Sequence, residues 1–569
     1  MNCEPNPTVA ERIALALKRH GVETIFAQSL PSAVILAAEA MGIRQIAYRQ
    51  ENMGGAMADG YARRIGKVAV VAAQNGPAAT LLVPPLAEAM KASVPIVALV
   101  QDVERDQADR NAFQELDHLD LFRACAKWVR RVITAGRIDD YIDMAFTAAA
   151  SGRPGPAVLL LPADLLREPG APVLFSRSSS LGSSPIDITR PADTLINEAA
   201  ERIATARSPV AIVGGGIHNG QGVSALGGLQ ELASLPVFTT NMGKGAVDEN
   251  HPLSAGVITM TGPRSLGSHS RDLIDDADLV LLVGTRTNQN GTDSWRLIPQ
   301  AATVIHVDVD PQEIGRSYEA IRLVGDAGET LSALCAALET HDLSIRHANR
   351  KPVEDTIAAA WANFEDDRRS LIDPRQSPLR PELVMIELQK RLTPETTVVA
   401  DASYSSMWIV GQLRSLKAGM RFISPRGLAG LGWGLPLAIG AKAAVPEQPV
   451  VVVAGDGGFA HSWAEMETLV RCNLPVIIIL LNNGILGFQK HAETVKFGRF
   501  TSACHLNAVD HVKIAEACGC TALRVAEHSA LIDALDQAFA YEGPLLIEVM
   551  TSPHAFPPLS LFAHLEDVA

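Results

Sequence analysis

Two short motifs in the last third of the chain carry the residue types that a small hard cation and a diphosphate need. Gly455-Asp456-Gly457 follows the apolar run Val450–Ala454, and Asn482-Asn483 comes after 24 intervening residues, at the end of a second apolar run, Val476–Leu481. Asp456 offers a carboxylate oxygen and Asn483 an amide oxygen. A hard cation takes oxygen ligands and commonly shares them between protein, phosphate and water. Glycines let backbone N–H groups approach a phosphate with no Cβ in the way. Each motif alone is also a common tight-turn sequence; their pairing behind two apolar runs favours a site.

Three more stretches could do chemistry. Glu51, after Tyr48-Arg49-Gln50, is either a reactive carboxylate at a strand end or a charge favourable to a helix N-terminus. The glycine-rich run Arg426-Gly427-Leu428-Ala429-Gly430-Leu431-Gly432-Trp433-Gly434 opens a helical stretch. In Asp401–Trp408, Ser405 and Ser406 offer hydroxyl donors to phosphate oxygens, or belong to a capped helix start.

Apolar runs of strand length must position these residues. Ile46–Tyr48, Val68–Ala73, Pro95–Val100 and Ala157–Leu161 alternate with helical stretches such as Ala10–His20 and Gly54–Arg63. Pro209–Val213, Leu279–Val283 and Val304–Val309 form a second group, and Thr397–Ala400, Val450–Ala454 and Val476–Leu481 a third. Strands alternating with helices imply parallel sheets covered on both faces. The fold class expected is α/β, with three doubly wound parallel-sheet domains at residues 1–170, 190–340 and 375–555 and a tail at 556–569. Serine-rich Phe175–Arg190 reads as a linker, and His341–Pro378 as a polar helical connection. In open sheets of this kind, ligands bind at the carboxyl ends of strands, where both motifs fall.

Composition sets the outer limits. A chain of 569 residues exceeds one core. Its 49 Lys+Arg against 63 Asp+Glu give −14, so nucleic acid and anionic membranes are poor partners. No run is long enough for a membrane span. The seven scattered cysteines suit a reducing cytoplasm. Cys504, His505, Cys518 and Cys520 lack paired CxxC knuckles and are read as unligated.

The motifs resemble those of the thiamine diphosphate-dependent superfamily, in its branch of acetolactate synthase, oxalyl-CoA decarboxylase and 2-hydroxyacyl-CoA lyase. The resemblance runs over nearly the whole chain, in the order pyrimidine-binding, central, diphosphate-binding domain. It implies that Asp456, Asn483 and the carbonyl of Ile485 bind Mg²⁺, and that Gly455, Gly457, Gly458, Leu486 and Gly487 line the diphosphate with Ser405 and Ser406. It also implies that Glu51 hydrogen-bonds N1′ of the aminopyrimidine and so activates the thiazolium carbon. Leu431 would wedge between the two cofactor rings, and the Ala429 carbonyl would accept from the 4′-amino group. Glycine is frequent in the family at that last position.

On the substrate side, Gln74-Asn75-Gly76-Pro77 and Ala112-Phe113-Gln114-Glu115 resemble two loops of the acetolactate synthase branch. Phe113, Gln114 and Asn75 are carried over to the reaction cavity on that resemblance. His118 reads as a surface histidine. Beyond Asn483 the chain departs from the family: Gly487-Phe488-Gln489-Lys490-His491-Ala492-Glu493 lacks the branch's tryptophan. Gln489 is taken as a substrate contact, His491 and Glu493 as solvated loop residues. Gln28 and Ser29 replace a usual glycine-containing turn. In the middle unit Gly284-Thr285-Arg286 resembles a place where relatives bind FAD or substrate, but the motif that follows in them is missing, so FAD is possible and not favoured; ADP or CoA is the other occupant considered there. The activity expected is a decarboxylating carboligase on a 2-oxo acid such as pyruvate. The alternatives are a 2-hydroxyacyl-CoA lyase acting on an acyl-CoA and a sulfoacetaldehyde acetyltransferase. The assembly expected is a homodimer or homotetramer with active sites at subunit interfaces.

Overall fold

The protein is described here by a computed structural model covering residues 6–170, 177 and 180–565. Cys3, most of Phe175–Ser179 and the last residues of the tail lie outside the described residues.

Eighteen strands make three sheets, and every strand pair among the described residues is parallel. The first contains β1 (Thr24–Ala27), β2 (Arg44–Ile46), β3 (Ala69–Ala73), β4 (Ile96–Asp102), β5 (Trp128–Arg131) and β6 (Pro156–Pro162), ordered β2-β1-β3-β4-β6-β5. The second contains β7 (Pro209–Val213), β8 (Val237–Thr239), β9 (Ser254–Val257), β10 (Leu279–Val283), β11 (Thr303–Asp308) and β12 (Ile321–Val324), ordered β12-β11-β10-β7-β8-β9. The third contains β13 (Thr397–Ala400), β14 (Phe422–Ile423), β15 (Val450–Gly455), β16 (Ile477–Asn482), β17 (Thr521–Val525) and β18 (Leu545–Met550), ordered β14-β13-β15-β16-β18-β17.

The first and third sheets therefore repeat one topology, while the middle one has the strand order of dinucleotide-binding folds. The Val- and Ile-rich runs of β15 and β16 are buried along nearly their whole length, as strands covered by helices on both faces must be.

Two helices join the first and third units. Glu51–Ile65 and Gly434–Ala444 approach so closely that a Cβ on Gly60 would lie 2.1 Å from the Leu437 carbonyl oxygen, and one on Gly440 1.8 Å from that of Met57. Only glycine fits either crossing point. The long helix Ser344–Ser370 is tied to the middle unit by Arg346, whose buried guanidinium donates to the carbonyls of Ala206, Arg207, Ala233 and Ser234.

Two expectations shift. The strand foreseen at Ile46–Tyr48 ends at Ile46, and the helix foreseen from Gly54 begins at Glu51, because Gln50 is extended (φ −142°, ψ 143°) and the next residue is already helical. The described part of the expected linker lies against the first unit at its start, where Arg177 pairs with Asp140 and Asp143 and Val68 N–H donates to the Gly182 carbonyl, and against the middle unit at its end, where Asp326 N–H donates to the Thr189 carbonyl. Among the described residues no helix is long and apolar enough to cross a membrane.

Candidate active site

The carboxyl ends of β13, β15 and β16 meet where the strand order of the third sheet reverses. β15 runs straight into Asp456, the first residue of a short helix, Asp456–Phe459. β16 ends on Asn482, whose amide turns back to donate to Glu548 (2.8 Å). Glu548 also takes bonds from His511 and Arg524, so Asn482 belongs to the scaffold. Asn483 faces the other way. Its Oδ1 accepts from Ile485 N (3.1 Å), and Gly484 N donates to Asp456 Oδ2 (3.1 Å). The carboxylate, the amide oxygen and the 483–485 turn thus form one knot. Burial pushes the Asp456 carboxyl above its usual range, against the opposing bond from Gly484 N–H.

The glycine-rich turn beside this knot hangs on Asp401, at the end of β13. Its buried carboxylate accepts from the N–H groups of Ala402 (2.8 Å), Gly432 (3.0 Å), Trp433 (3.1 Å) and Gly434 (3.3 Å). A Cβ on Gly458 would sit 2.1 Å from Asp401 Oδ2, so any larger residue would collide with this anchor. A second carboxylate holds the near side of the turn: Glu88, on the helix Pro77–Ala92 of the first unit, accepts from Gly427 N (2.6 Å), Leu428 N (2.5 Å) and Ala429 N (3.2 Å). Ala429 is left-handed (φ 61°), at the place where the family often has glycine. Leu431 stands at the tip, 42% exposed.

The two serines part company. Ser405 Oγ lies toward Gly455, 3.7 Å from where a Cβ would be. Ser406 donates to the carbonyl of Ser403 (2.8 Å), so its hydroxyl proton is held within the first turn of its own helix. Gly457 lies under Leu486, and Gly487 under the ring of Tyr404.

On the first unit, Glu51 is half-buried, and its carboxylate makes no hydrogen bond or ion pair among the described residues. The backbone that carries it is well held. Arg49 N donates to the buried Glu465 (2.9 Å), whose carboxyl burial pushes up. The Gln28 amide reaches the carbonyls of Tyr48 and Arg49 (3.3 Å each), so Gln28 braces the strand end. Asn75 Nδ2 donates to the carbonyls of Phe113 (3.2 Å) and Gln114 (3.1 Å), joining the two loops foreseen on the substrate side. Gln114 Oε1 is buried with no partner, and Phe113 is 82% exposed.

Three histidine and loop readings are corrected. His118 is fully buried, because it is pulled in between Gly76 and Asp102. His491 is buried too, its Nδ1 2.7 Å from the Tyr404 hydroxyl, among Phe488, Phe556 and Phe562. The stretch after Asn483 is a helix, Gly487–Phe497, and not a loop; Gln489 lies on its exposed side, bonded to Glu493 (2.8 Å), which in turn accepts from Thr501 N.

Asp401, Glu88, Glu465 and Asp102 were not singled out in the sequence. Their only signal was a carboxylate at a strand end or inside an otherwise apolar helix.

The middle sheet has its own cleft, at the reversal point between β7 and β10. A cavity of about 440 Å³ is lined by Gly214–Gly216, Arg286, His218 and Asp308, and reaches Gly427–Ala429. Arg286 makes no ion pair among the described residues, and His218 Nδ1 is buried without a partner. Burial and nearby Arg421 hold the His218 imidazole well below its ordinary range, while burial raises Asp308 to about 6.

Oxygen donors without a cluster of other ligands narrow the third-unit site. Among the described residues no three His, Cys, Asp or Glu side chains gather as a metal site. One carboxylate and one amide oxygen suit a cation that takes its remaining ligands from backbone, phosphate and water. The glycines around Asp456 leave a cradle that side chains would fill. The residues present therefore fit a metal-anchored diphosphate.

Comparison with known proteins agrees. Residues 7–121 match the N-terminal TPP binding domain of thiamine pyrophosphate enzymes, 196–334 their central domain and 401–549 their C-terminal TPP binding domain. A probable acetolactate synthase large subunit of Methanococcus aeolicus is 30% identical over 564 residues, 96% of this chain and 92% of the relative. The acetolactate synthase of Mycobacterium bovis is 31% identical over 564 residues, 96% of this chain and 88% of the relative. The acetolactate synthase large subunit of Parasynechococcus marenigrum is 32% identical over 551 residues, 94% and 86%.

Proposed function

Because the chain belongs to the thiamine pyrophosphate enzymes and is acetolactate synthase-like along 96% of its length, we propose that it joins two carbonyl compounds after decarboxylating a 2-oxo acid such as pyruvate. When bound, thiamine diphosphate supplies a carbon nucleophile and an electron sink for that chemistry. The observation that carries the reading is the knot in which Asp456 Oδ2 accepts from Gly484 N–H and Asn483 Oδ1 from Ile485 N–H, at the reversal point of the third sheet.

Asp456, Asn483 and the Ile485 carbonyl would hold Mg²⁺, with Gly455, Gly457, Gly458, Leu486, Gly487 and Ser405 around the phosphates. Leu431 and the Ala429 carbonyl, fixed by Asp401 and Glu88, shape the space for the two rings. Glu51 would exchange a proton between its carboxylate and a nitrogen of the bound aminopyrimidine; a carboxylate without partners among the described residues is open to that role. Phe113, Gln114 and Asn75 line the reacting carbonyl, and Gln489 reaches it only if its bond to Glu493 opens. Apolar Phe113, Leu428 (55% exposed) and Leu431 need cover, which a second copy of the chain supplies, so the working unit is at least a homodimer.

The cavity of the middle unit favours a second reading. Its unpaired Arg286 and neutral His218 suit the phosphates and base of a nucleotide, either FAD or the ADP portion of CoA. With CoA there, the chain would cleave 2-hydroxyacyl-CoA instead. The deciding experiment is a steady-state assay of purified protein with thiamine diphosphate and Mg²⁺. Acetolactate from pyruvate is expected. Its absence, together with turnover of 2-hydroxyacyl-CoA, would replace the first reading by the second.

A further inference from the structure

The loop that carries Phe113 and Gln114 crosses the end of β3 at Gly76. There a Cβ on Gly76 would lie 2.6 Å from Gln114 Cβ and 2.8 Å from its carbonyl oxygen. Gly76 has φ 65° and ψ −120°, which side chains disfavour, and Gln114 is itself left-handed (φ 61°). Such a crossing persists only if neighbours over-determine it. Asn75 supplies two bonds from above, already described. The third comes from below, through His118.

Gly76 N–H donates to His118 Nε2 at 2.9 Å. A backbone N–H can only donate, so Nε2 is an acceptor and the imidazole proton is on Nδ1. Nδ1 faces Asp102 Oδ1 at 3.2 Å, and Asp102 Oδ2 accepts from Arg131 Nε at 2.7 Å. Asp102 stands at the end of β4, next to the loop, and both it and His118 are buried. Arg131 and His118 hold its carboxyl below the usual range even though burial opposes them. The row Arg131–Asp102–His118 thus ends on one amide, that of the residue between Asn75 and the helix Pro77–Ala92.

We propose that His118, oriented by Asp102 and Arg131, is a positioning residue that latches Gly76 and so sets the Phe113–Gln114 loop against the reacting carbonyl. The buried, unpartnered Oε1 of Gln114 is the group so aimed. This rests on the carboligase reading for what the loop contacts; the latch itself does not.

The test compares His118→Gln, whose amide oxygen can replace Nε2 as an acceptor, with His118→Phe, which fills the space and accepts nothing. Two readouts are taken on the full-length protein. Amide hydrogen exchange of segments 74–78 and 109–118, without substrate, should rise at least tenfold in His118→Phe and stay within threefold of wild type in His118→Gln. In pyruvate turnover, His118→Phe should raise KM about tenfold with kcat changed less, and His118→Gln should restore it. Asp102→Asn combined with His118→Phe should add little to either effect.

Equal exchange in all three proteins overturns the latch, whatever the activity. Both variants failing alike also overturns it, because the acceptor would then be irrelevant. If wild-type protein makes no product from pyruvate, the carboligase reading fails, and the exchange result alone still decides the latch.

Discussion

Replacing Asp456 by Asn separates what the residue costs the fold from what it does for the ligand. Burial raises the Asp456 carboxyl, so the folded state binds its proton more tightly than the unfolded chain does. The sign follows. Stability is lost as pH rises from the unfolded value near 4 through the raised folded value, and at neutral pH the whole penalty is present. Each tenfold in proton affinity is worth about 1.4 kcal/mol. Asn has the same shape, keeps an oxygen for the Gly484 N–H (3.1 Å) and carries no charge. The variant without ligands should therefore match or exceed wild type in melting temperature. Ligands reverse the order. At a hundredfold excess over Kd, wild type gains about 2.7 kcal/mol from thiamine diphosphate with Mg²⁺. The variant, lacking its one carboxylate ligand, should gain almost nothing. Differential scanning fluorimetry of both proteins, with and without cofactor and Mg²⁺, measures both halves. A variant that is stabilised by the ligands as much as wild type would refute the donor assignment. One that is weaker than wild type without ligands would refute the account of the buried charge.

Glu51→Gln should lower turnover by about 10²–10⁴-fold, the usual range for a lost proton-transfer group. Because the Glu51 carboxylate has no internal partner, melting should move by less than about 1 °C, on the scale of a surface change; a large fall in melting with activity kept would contradict its role. Gly458→Ala drives a Cβ to 2.1 Å from Asp401 Oδ2 and should destabilise by about 1–3 kcal/mol with weaker cofactor binding, measured by calorimetry; an unchanged affinity would remove the Asp401 anchor from the site. His306, buried and donating to the Thr285 carbonyl, has its imidazole pushed down to about 4, so its neutral form stabilises the fold above pH about 6.5 and that contribution, about 3 kcal/mol, is lost as pH falls to about 4. Chemical denaturation of His306→Gln should show a flatter fall over that window; an equal fall places the acid sensitivity elsewhere.

What was legible in the chain was mostly one-dimensional. β7, β10 and β13 lie where their apolar runs begin and end, because strands covered on both faces need unbroken apolar sequence and little else. The start of the Glu51 helix was missed by three residues, since Glu51, Asn52 and Met53 show no apolar period and the turn is decided by Gln50. His118 was read as a surface histidine and His491 as a solvated loop residue. Their burial comes from Gly76, Asp102 and Tyr404, which are 42, 16 and 87 positions away. Asp401 and Glu88 stayed hidden for the same reason: a carboxylate that collects backbone N–H groups from another segment leaves no periodic trace. The shared topology of the outer sheets was also invisible, because strand order is fixed by connections and not by composition.

The two outer units are joined in a way that bears on where catalysis occurs. The Gly60–Gly440 crossing, Glu88 on the glycine-rich turn and Glu465 under Arg49 all lie within one chain. These contacts use the faces of the units that carry backbone anchors. The groups expected to meet ligands are not among these anchors: the half-buried Glu51 carboxylate, the exposed Leu431 and Phe113, and the buried Gln114 Oε1, which has no partner among the described residues. A monomer would keep Phe113, Leu428 and Leu431 in water and leave the half-buried Glu51 carboxylate without a partner among the described residues. In the proposed homodimer, a second copy placing the Asp456 knot of one chain opposite Glu51 of the other would remove both costs at once. The fixed contacts inside the chain would then serve to hold each half-site in shape until its counterpart arrives.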